Sequence, residues 1–188
     1  MGAKLPSVLV DVNSFFKDES FAGRCNTATL PKIVTKTMDA AIAGVAGDIE
    51  RDLGRLEKLE SEVTISDYAA RVTDLLGARE SRDEVFTLRG AVDRDGVIKT
   101  AIVRMQGFWK SAEFNEWAPE KEATMKFAIA VEMFHFEVDG KELIYIDKLN
   151  NEFRVNGKDR NKRDPRSAGP IGPAFSLQHS LNSKEPKP

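Results

Sequence analysis

Few side chains in this 188-residue chain are of types that do chemistry at neutral pH, and they are poorly spaced for it. There are two histidines and one cysteine. His135 sits between Phe134 and Phe136 in a run of strand-forming residues, and His179 sits in a proline-rich tail. A metal site needs three or four ligands converging on one point. No His/Cys/Asp spacing here brings three together, so His135 reads as a structural strand histidine. Cys25 has no base beside it in sequence, and a nucleophilic thiol needs a base or a cation to form its thiolate; a partner supplied by the fold stays open as the alternative. Carboxylates cluster at Asp48/Glu50/Asp52 and at Glu57/Glu60/Glu62. General acid–base work would require two of them in one cleft with separated pKa values, whereas acids alternating along a strand make a solvated or channel-lining face. Gly44-Val-Ala-Gly47 lacks the lysine and the strand–helix context of a phosphate-binding loop. Trp109 and Trp117 could stack on sugars or bases, but packing or an interface suits them better. The chain therefore offers no catalytic, cofactor-binding or metal-binding set, which is consistent with a structural protein.

A chain of this length is expected to form one domain with, at most, a second small element. It can bury roughly 70% of its unfolded surface, so no staple is needed. The lone Cys25 cannot pair within the chain, and a reducing, cytosolic place of folding is the default. No apolar run approaches the ~20 residues that span a bilayer, and the N-terminal residues lack a signal-peptide layout. The net charge of −2 is unevenly spread. From Arg154 to Pro188 there are eight Lys/Arg and three Asp/Glu, a balance of +5, which leaves 20 basic and 27 acidic residues before it. An acidic body argues against nucleic-acid recognition, which needs a basic stripe to displace counterions. The basic tail could lie free in solvent, touch nucleic acid or meet an acidic neighbour.

The elements read mostly as strands. Val8, Val10 and Val12 alternate in a strand over 7–13, followed by Phe15-Phe16 and a polar turn at 17–20. Residues 27–37 are rich in β-branched residues, but Pro31 removes a ladder donor and places the strand at an edge or bends it. Residues 38–54 have no stable period, because Gly44, Gly47 and Gly54 interrupt them; a weak short helix is possible at the start, and a surface loop or a partner-seeking arm are the two readings. Leu59, Val63 and Ile65 alternate with acids in a strand with one wet face. Ser66 or Asp67 could cap a helix whose stripe is Tyr68, Val72, Leu75 and Leu76, closed by Gly77. Phe86, Leu88 and Val92 share one strand face, a turn follows at 93–96, a strand returns over 97–105 and ends at Gly107-Phe108-Trp109, and 110–122 reads as an irregular connection.

Two features are sharper. Met125, Phe127, Ile129, Val131 and Met133 share one strand face, whereas Phe134, Phe136 and Val138 point the other way. A period of two changes phase only at an extra residue or a bend, so a bulge is expected near Glu132 to Phe134, unless both faces are covered there. Asp139-Gly140 then signals a tight hairpin, because both central residues of the favoured turn need positive φ.

The stretch from Phe127 to Arg160, with its DGKEL, Ile146-Asp147 and Val155-Asn156-Gly157-Lys158-Asp159-Arg160 motifs, resembles the C-terminal half of the major tail tube proteins of contractile-tailed phages and R-type bacteriocins. The run Ala28-Thr29-Leu30-Pro31-Lys32-Ile33 is similar to a motif of the same family, and the resemblance spans roughly Leu5 to Arg160. It implies a mainly β (α+β) fold, a β-sandwich or partly closed barrel with one packed α-helix. It implies a tube domain over 1–160, with 38–54 as an extended inter-subunit arm, and a basic, Pro-rich C-terminal extension over 161–188 that the resemblance does not cover. It implies homo-hexameric rings stacked into a tube, with the Phe127–Val138 and Leu143–Lys148 hairpin in the joined sheet. Tail sheath, baseplate and tail terminator proteins would be its partners. DNA would pass through the lumen without specific binding in a phage, or the tube would pierce an envelope in a bacteriocin. The location implied is a virion tail, assembled in the host bacterial cytoplasm, with no turnover and no cofactor. The alternatives are a tube subunit of a type VI secretion or other contractile injection system and, in a different class, a small ligand-binding β-barrel or enzyme with a closed pocket.

Overall fold

The computed structural model describes residues 6–16, 19–40, 47–116 and 118–161. The expectations for Trp117, His179, Gly44 and the extension from Lys162 onward fall outside them. In chain order the strands are β1 (Val8–Phe16), β2 (Glu19–Ser20), β3 (Cys25–Thr29), β4 (Thr35–Ala40), β5 (Ile49–Leu56), β6 (Leu59–Ile65), β7 (Phe86–Arg94), β8 (Val97–Phe114), β9 (Met125–Val138), β10 (Lys141–Asp147), β11 (Glu152–Val155) and β12 (Lys158–Asp159). One helical turn, α1 (Ala70–Thr73), and a 3-10 turn, Arg79–Asp83, lie between β6 and β7.

Ten strands share one antiparallel sheet in the order β12-β11-β10-β9-β8-β7-β1-β2, and β6 with β3 branches from β9. The branch has a simple cause. Residues 125–131 of β9 pair with β6, and residues 133–138 of the same strand pair with β10. Between them Glu132 is the extra residue of a bulge, where Gln106 faces Met133 but the next residue, Gly107, faces Val131. Burial changes phase there, from Met125, Phe127, Ile129 and Val131 to Phe134, as the apolar pattern requires. The Glu132 carbonyl accepts a hydrogen bond from the Lys148 amide at 3.0 Å, so the seam between the two branches leaves that group satisfied. The sheet is not closed, since β1 and β3 do not pair. This is the partly closed, mainly β arrangement that the family resemblance implies.

The tight turns follow backbone chemistry. Asp139-Gly140, Asp95-Gly96 and Asn156-Gly157 all have positive φ at both positions, which joins right-twisted strands without splaying them.

The core is aromatic. Phe16 lies 4.8 Å from Phe86 and 5.1 Å from Trp109, centroid to centroid, and Trp109 lies 5.4 Å from Phe127. These rings tie β1, β7, β8 and β9 together, and each such pair contributes about 0.5–1.5 kcal/mol beyond area burial. Trp109 is 1% exposed, so packing is its role.

Three sequence expectations change. The helix is a single turn, not a run from Ser66 to Gly77. Ser66 and Asp67 do not cap it: the Ser66 hydroxyl bonds Glu122, Asp67 pairs with Arg24 at 3.1 Å, and the residue before the helix is Ala69 in extended conformation. Val72 is buried and Leu75 packs on the core, while Tyr68 and Leu76 face solvent. Strand β8 does not end at Gly107–Trp109 but runs to Phe114, so the irregular connection shrinks. Beyond Met105 it has lost β7 as a neighbour, and the helical segment covers its edge: the Gly77 amide donates to the Trp109 carbonyl and the Trp109 amide donates to Ser81 Oγ. Finally, the described parts of 38–54 form no helix: 38–40 belong to β4 and 49–54 to β5, which pair as a hairpin of their own, and residues 27–37 divide between β3 and β4.

Candidate functional site

The residues with chemical potential are not gathered into a cleft. His135 lies on the face of the main sheet away from the core, within a row of paired charges. Arg104 Nη1 is 3.2 Å from His135 Nδ1 and 3.3 Å from Glu137. His135 Nε2 is 3.7 Å from Glu142, and Arg154 Nε donates to Glu142 at 3.1 Å while its guanidinium lies 4.0 Å over the Tyr145 ring. The hydrogen-bonded Arg154 guanidinium holds the Glu142 carboxyl below its ordinary 4.5. Register explains the row: Thr87, Arg104, His135, Tyr145 and Arg154 are cross-strand neighbours from β7 to β11. Opposite charges placed side by side on one face compensate each other. This sheet face is polar and largely self-neutralised.

Cys25 is partly buried, and burial pushes its thiol up against a smaller opposing pull from Ser14, which makes it a poor nucleophile. Among the described residues no three His, Cys, Asp or Glu side chains are grouped to hold a metal ion, and no helix is long and apolar enough to cross a membrane. The acids Glu60 and Glu62 meet Lys110 and Lys126 across strands. Asp48, Glu50 and Asp52 are exposed.

What the fold does leave open are borders. The outer edge of β1 from Val8 to Asn13 pairs with nothing among the described residues, since β2 reaches only Phe15 and Phe16. At the opposite end of the sheet, β12 is two residues long and exposed, and it is the last strand, pairing only with Arg154 and Val155 of β11. The β9–β10 hairpin, which the resemblance placed in the joined sheet, is interior to the sheet and not one of these borders. Val8, Leu9 and Val10 on β1 and Val97 and Ile98 at the β7–β8 turn are each more than half exposed. The β4–β5 hairpin stands apart with nearly every described residue exposed. Beside β1 opens a cavity of about 590 Å³ between β3 and the β7–β8–β9 face.

The family resemblance implied an arm over 38–54 and a joined sheet, but not which strands carry the open borders or the hollow, because these are surplus apolar surface, not chemistry. The one available signal was the valine alternation of β1, which was legible as a strand but not as an unpaired one.

Comparison with known proteins agrees with this architecture. Residues 6–168 match the family model of phage tail tube protein FII. The tail tube protein of Escherichia phage P2 is 30% identical over 169 residues, covering 88% of this chain and 98% of that protein. A chain in the cryo-EM structure of an extracellular contractile injection system, the PVC sheath/tube terminator in its extended state, shares the fold with a TM-score of 0.52 at 11% identity. That likeness covers 72% of this chain and 99% of the other.

Proposed function

This chain belongs to the phage tail tube protein FII family and is a tail tube protein of a contractile-tailed phage, part of the virion tail, and from that premise we propose how it builds and uses its tube. Six copies close into a ring by joining the free β1 edge of one subunit to the β11–β12 border of the next. The observation that carries this is a sheet whose main path ends in unpaired borders, β1–β2 at one end and β12 at the other. Such a surface is head-to-tail, and head-to-tail contacts close into rings or extend into filaments instead of stopping at a dimer. Pairing also removes an exposed, apolar strand edge, which is otherwise an aggregation hazard. Rings stack through the β4–β5 arm of the tube domain, residues 1–160, while 161–188 forms the basic extension.

The joined sheet turns its polar face inward. Duplex DNA then meets a wall on which Arg104 and Arg154 are already held by Glu137 and Glu142. A cation occupied by a carboxylate is a poor phosphate ligand, so the polyanion passes without long-lived contacts. The role is assembly and passive conduction without turnover, inside a sheath and between a baseplate and a tail terminator.

Negative-stain electron microscopy tests the ring. Val8→Lys with Val10→Lys places two charges on residues already more than half exposed, so the subunit stays folded. Tubes from the wild-type chain and only folded monomers from the variant are expected; tubes of normal width from the variant would overturn the edge pairing.

A further inference from the structure

The β4–β5 hairpin is amphipathic, although a single subunit half-buries only Ala40 and Leu56 of it. Register pairs Met38 with Arg51 and Ala40 with Ile49, so Met38, Ala40 and Ile49 lie on one face with Arg51 among them, and the exposed Leu53 follows at the break in register beyond Asp52. Asp39, Glu50 and Asp52 lie on the other. Met38, Ile49 and Leu53 are 50%, 40% and 41% exposed. A two-stranded hairpin in water is marginal without a surface to pack on, so this face is built for a partner.

The same chain carries an apolar hollow of matching character. The cavity beside β1 is lined by Leu9, Val12, Ala28, Leu88, Val103 and Phe136, and its ≈590 Å³ lies within the ~300–1,000 Å³ of sites that enclose a group of apolar atoms. Asp11 stands on its wall. Neither Asp11 nor Arg51 has an ion-pair partner among the described residues. A hairpin that brings Arg51 inside an apolar face needs one carboxylate at its destination, and the hollow supplies one.

Hairpin and hollow share no lining residue. The base of the hairpin, at Thr35 and Gly54–Leu56, shares a recess with Phe153 and Val155 of β11, whereas the hollow is walled by β1, β3, β7, β8 and Phe136 of β9. Donor and acceptor so placed link one copy to the next without satisfying both within one chain.

We propose that the apolar face of the β4–β5 hairpin of one subunit seats in the β1–β3–β7–β8 hollow of a second copy in the adjacent ring, with Arg51 against the partner's Asp11. This rests on the reading of the hairpin as the ring-to-ring arm and names its acceptor.

The chain's single cysteine, Cys25, lines the hollow and serves as the probe. Single variants Met38→Cys, Ile49→Cys and Leu53→Cys are assembled into tubes and treated with a short bis-maleimide at mildly alkaline pH, then run on a denaturing gel. At least one should give a ladder of dimers, trimers and higher multimers that disappears when Cys25→Ser is added. Tubes that form normally with no ladder from any of the three overturn the seating while leaving the tube reading intact; Cys25 shielded from maleimide in those tubes would assign the hollow to another segment. A wild-type chain that never assembles overturns the tube reading instead. Charge reversal supplies a second measurement. Arg51→Asp and Asp11→Arg should each reduce tube yield at least several-fold, and the double variant should recover most of it; a double variant no better than the singles contradicts the pairing.

Discussion

Replacing Gly107 with alanine would place a methyl carbon 2.2 Å from the Ala130 carbonyl oxygen and 2.9 Å from both the Ala130 carbonyl carbon and the Val131 Cα. All three atoms are backbone, so no rotamer change can yield space. Ordinary contact begins at 3.4 Å, and β8 and β9 would have to part by about 1.2 Å where Glu132 bulges out, which loosens the dispersion contacts on both sides. Overpacking of a well-packed interior costs typically 1–3 kcal/mol, and a clash between two backbones belongs at the top of that range, ~3 kcal/mol. For a domain of this size that is a fall in Tm of roughly 6–12 °C. Thermal unfolding followed by circular dichroism on the dilute, unassembled chain measures it, since assembly would itself raise the apparent stability. Gly90 is the control. There the nearest atom, at 2.7 Å, is Cδ1 of the Leu9 side chain, which can rotate away, and the one backbone contact, the Asp11 carbonyl oxygen at 3.2 Å, has to give by only about 0.2 Å, so Gly90→Ala should cost about 1 kcal/mol, the bottom of that range. Equal melting temperatures for Gly107→Ala and the wild type would refute the argument that the bulge requires a glycine opposite it.

Three further outcomes follow from the same geometry. Trp109→Ala removes the ring that contacts Phe16, Phe86 and Phe127, and denaturant titration should show a loss of ~3–5 kcal/mol; a loss under ~1 kcal/mol would mean the aromatic cluster is not the core. Glu142→Gln tests the charged row. Because Arg154 holds the Glu142 carboxyl below 4.5, the native state gains stability above that value and loses it as pH falls through the depressed one. Since both side chains are about a third exposed, the gap in unfolding free energy between wild type and variant should be small near neutrality, well under ~1 kcal/mol. It should close on acidification and shrink in high salt; a gap indifferent to both would contradict an ionic origin. Finally, Glu137→Lys with Glu142→Lys frees Arg104, leaves Arg154 only Glu152 as a partner and adds two cations to meet phosphate, so particles carrying the variant tube should release DNA several-fold more slowly in an ejection assay, and unchanged release would place this face away from the lumen.

What could be read from the chain follows from what one strand's neighbours impose. The Asp-Gly turn was legible because few residues tolerate positive φ, and Asp139 and Gly140 both adopt it. The Glu132 bulge was legible because a phase slip in a period-two pattern has few physical solutions. The helix was over-read, since Ser66 and Asp67 are good caps in isolation but are engaged by Glu122 and Arg24. The continuation of β8 was missed because Gly107 reads as a stop, whereas its role is to let β9 approach. The β4–β5 hairpin left little pattern because alternation records burial within one chain, and this hairpin has almost none. A joined sheet was implied by the resemblance, but which strands border it was not legible for the same reason: an edge strand and a central one can carry the same alternation.

Hydrogen exchange of the assembled tube against the dilute monomer tests the edge-joined ring most directly. In the monomer the amides of β1 that point outward from Val8 to Asn13 have no strand to bond. On assembly they should slow by at least roughly 100-fold, together with those of β11 and β12, as ladder bonds form. Tubes in which these amides exchange as fast as in the monomer would contradict the account.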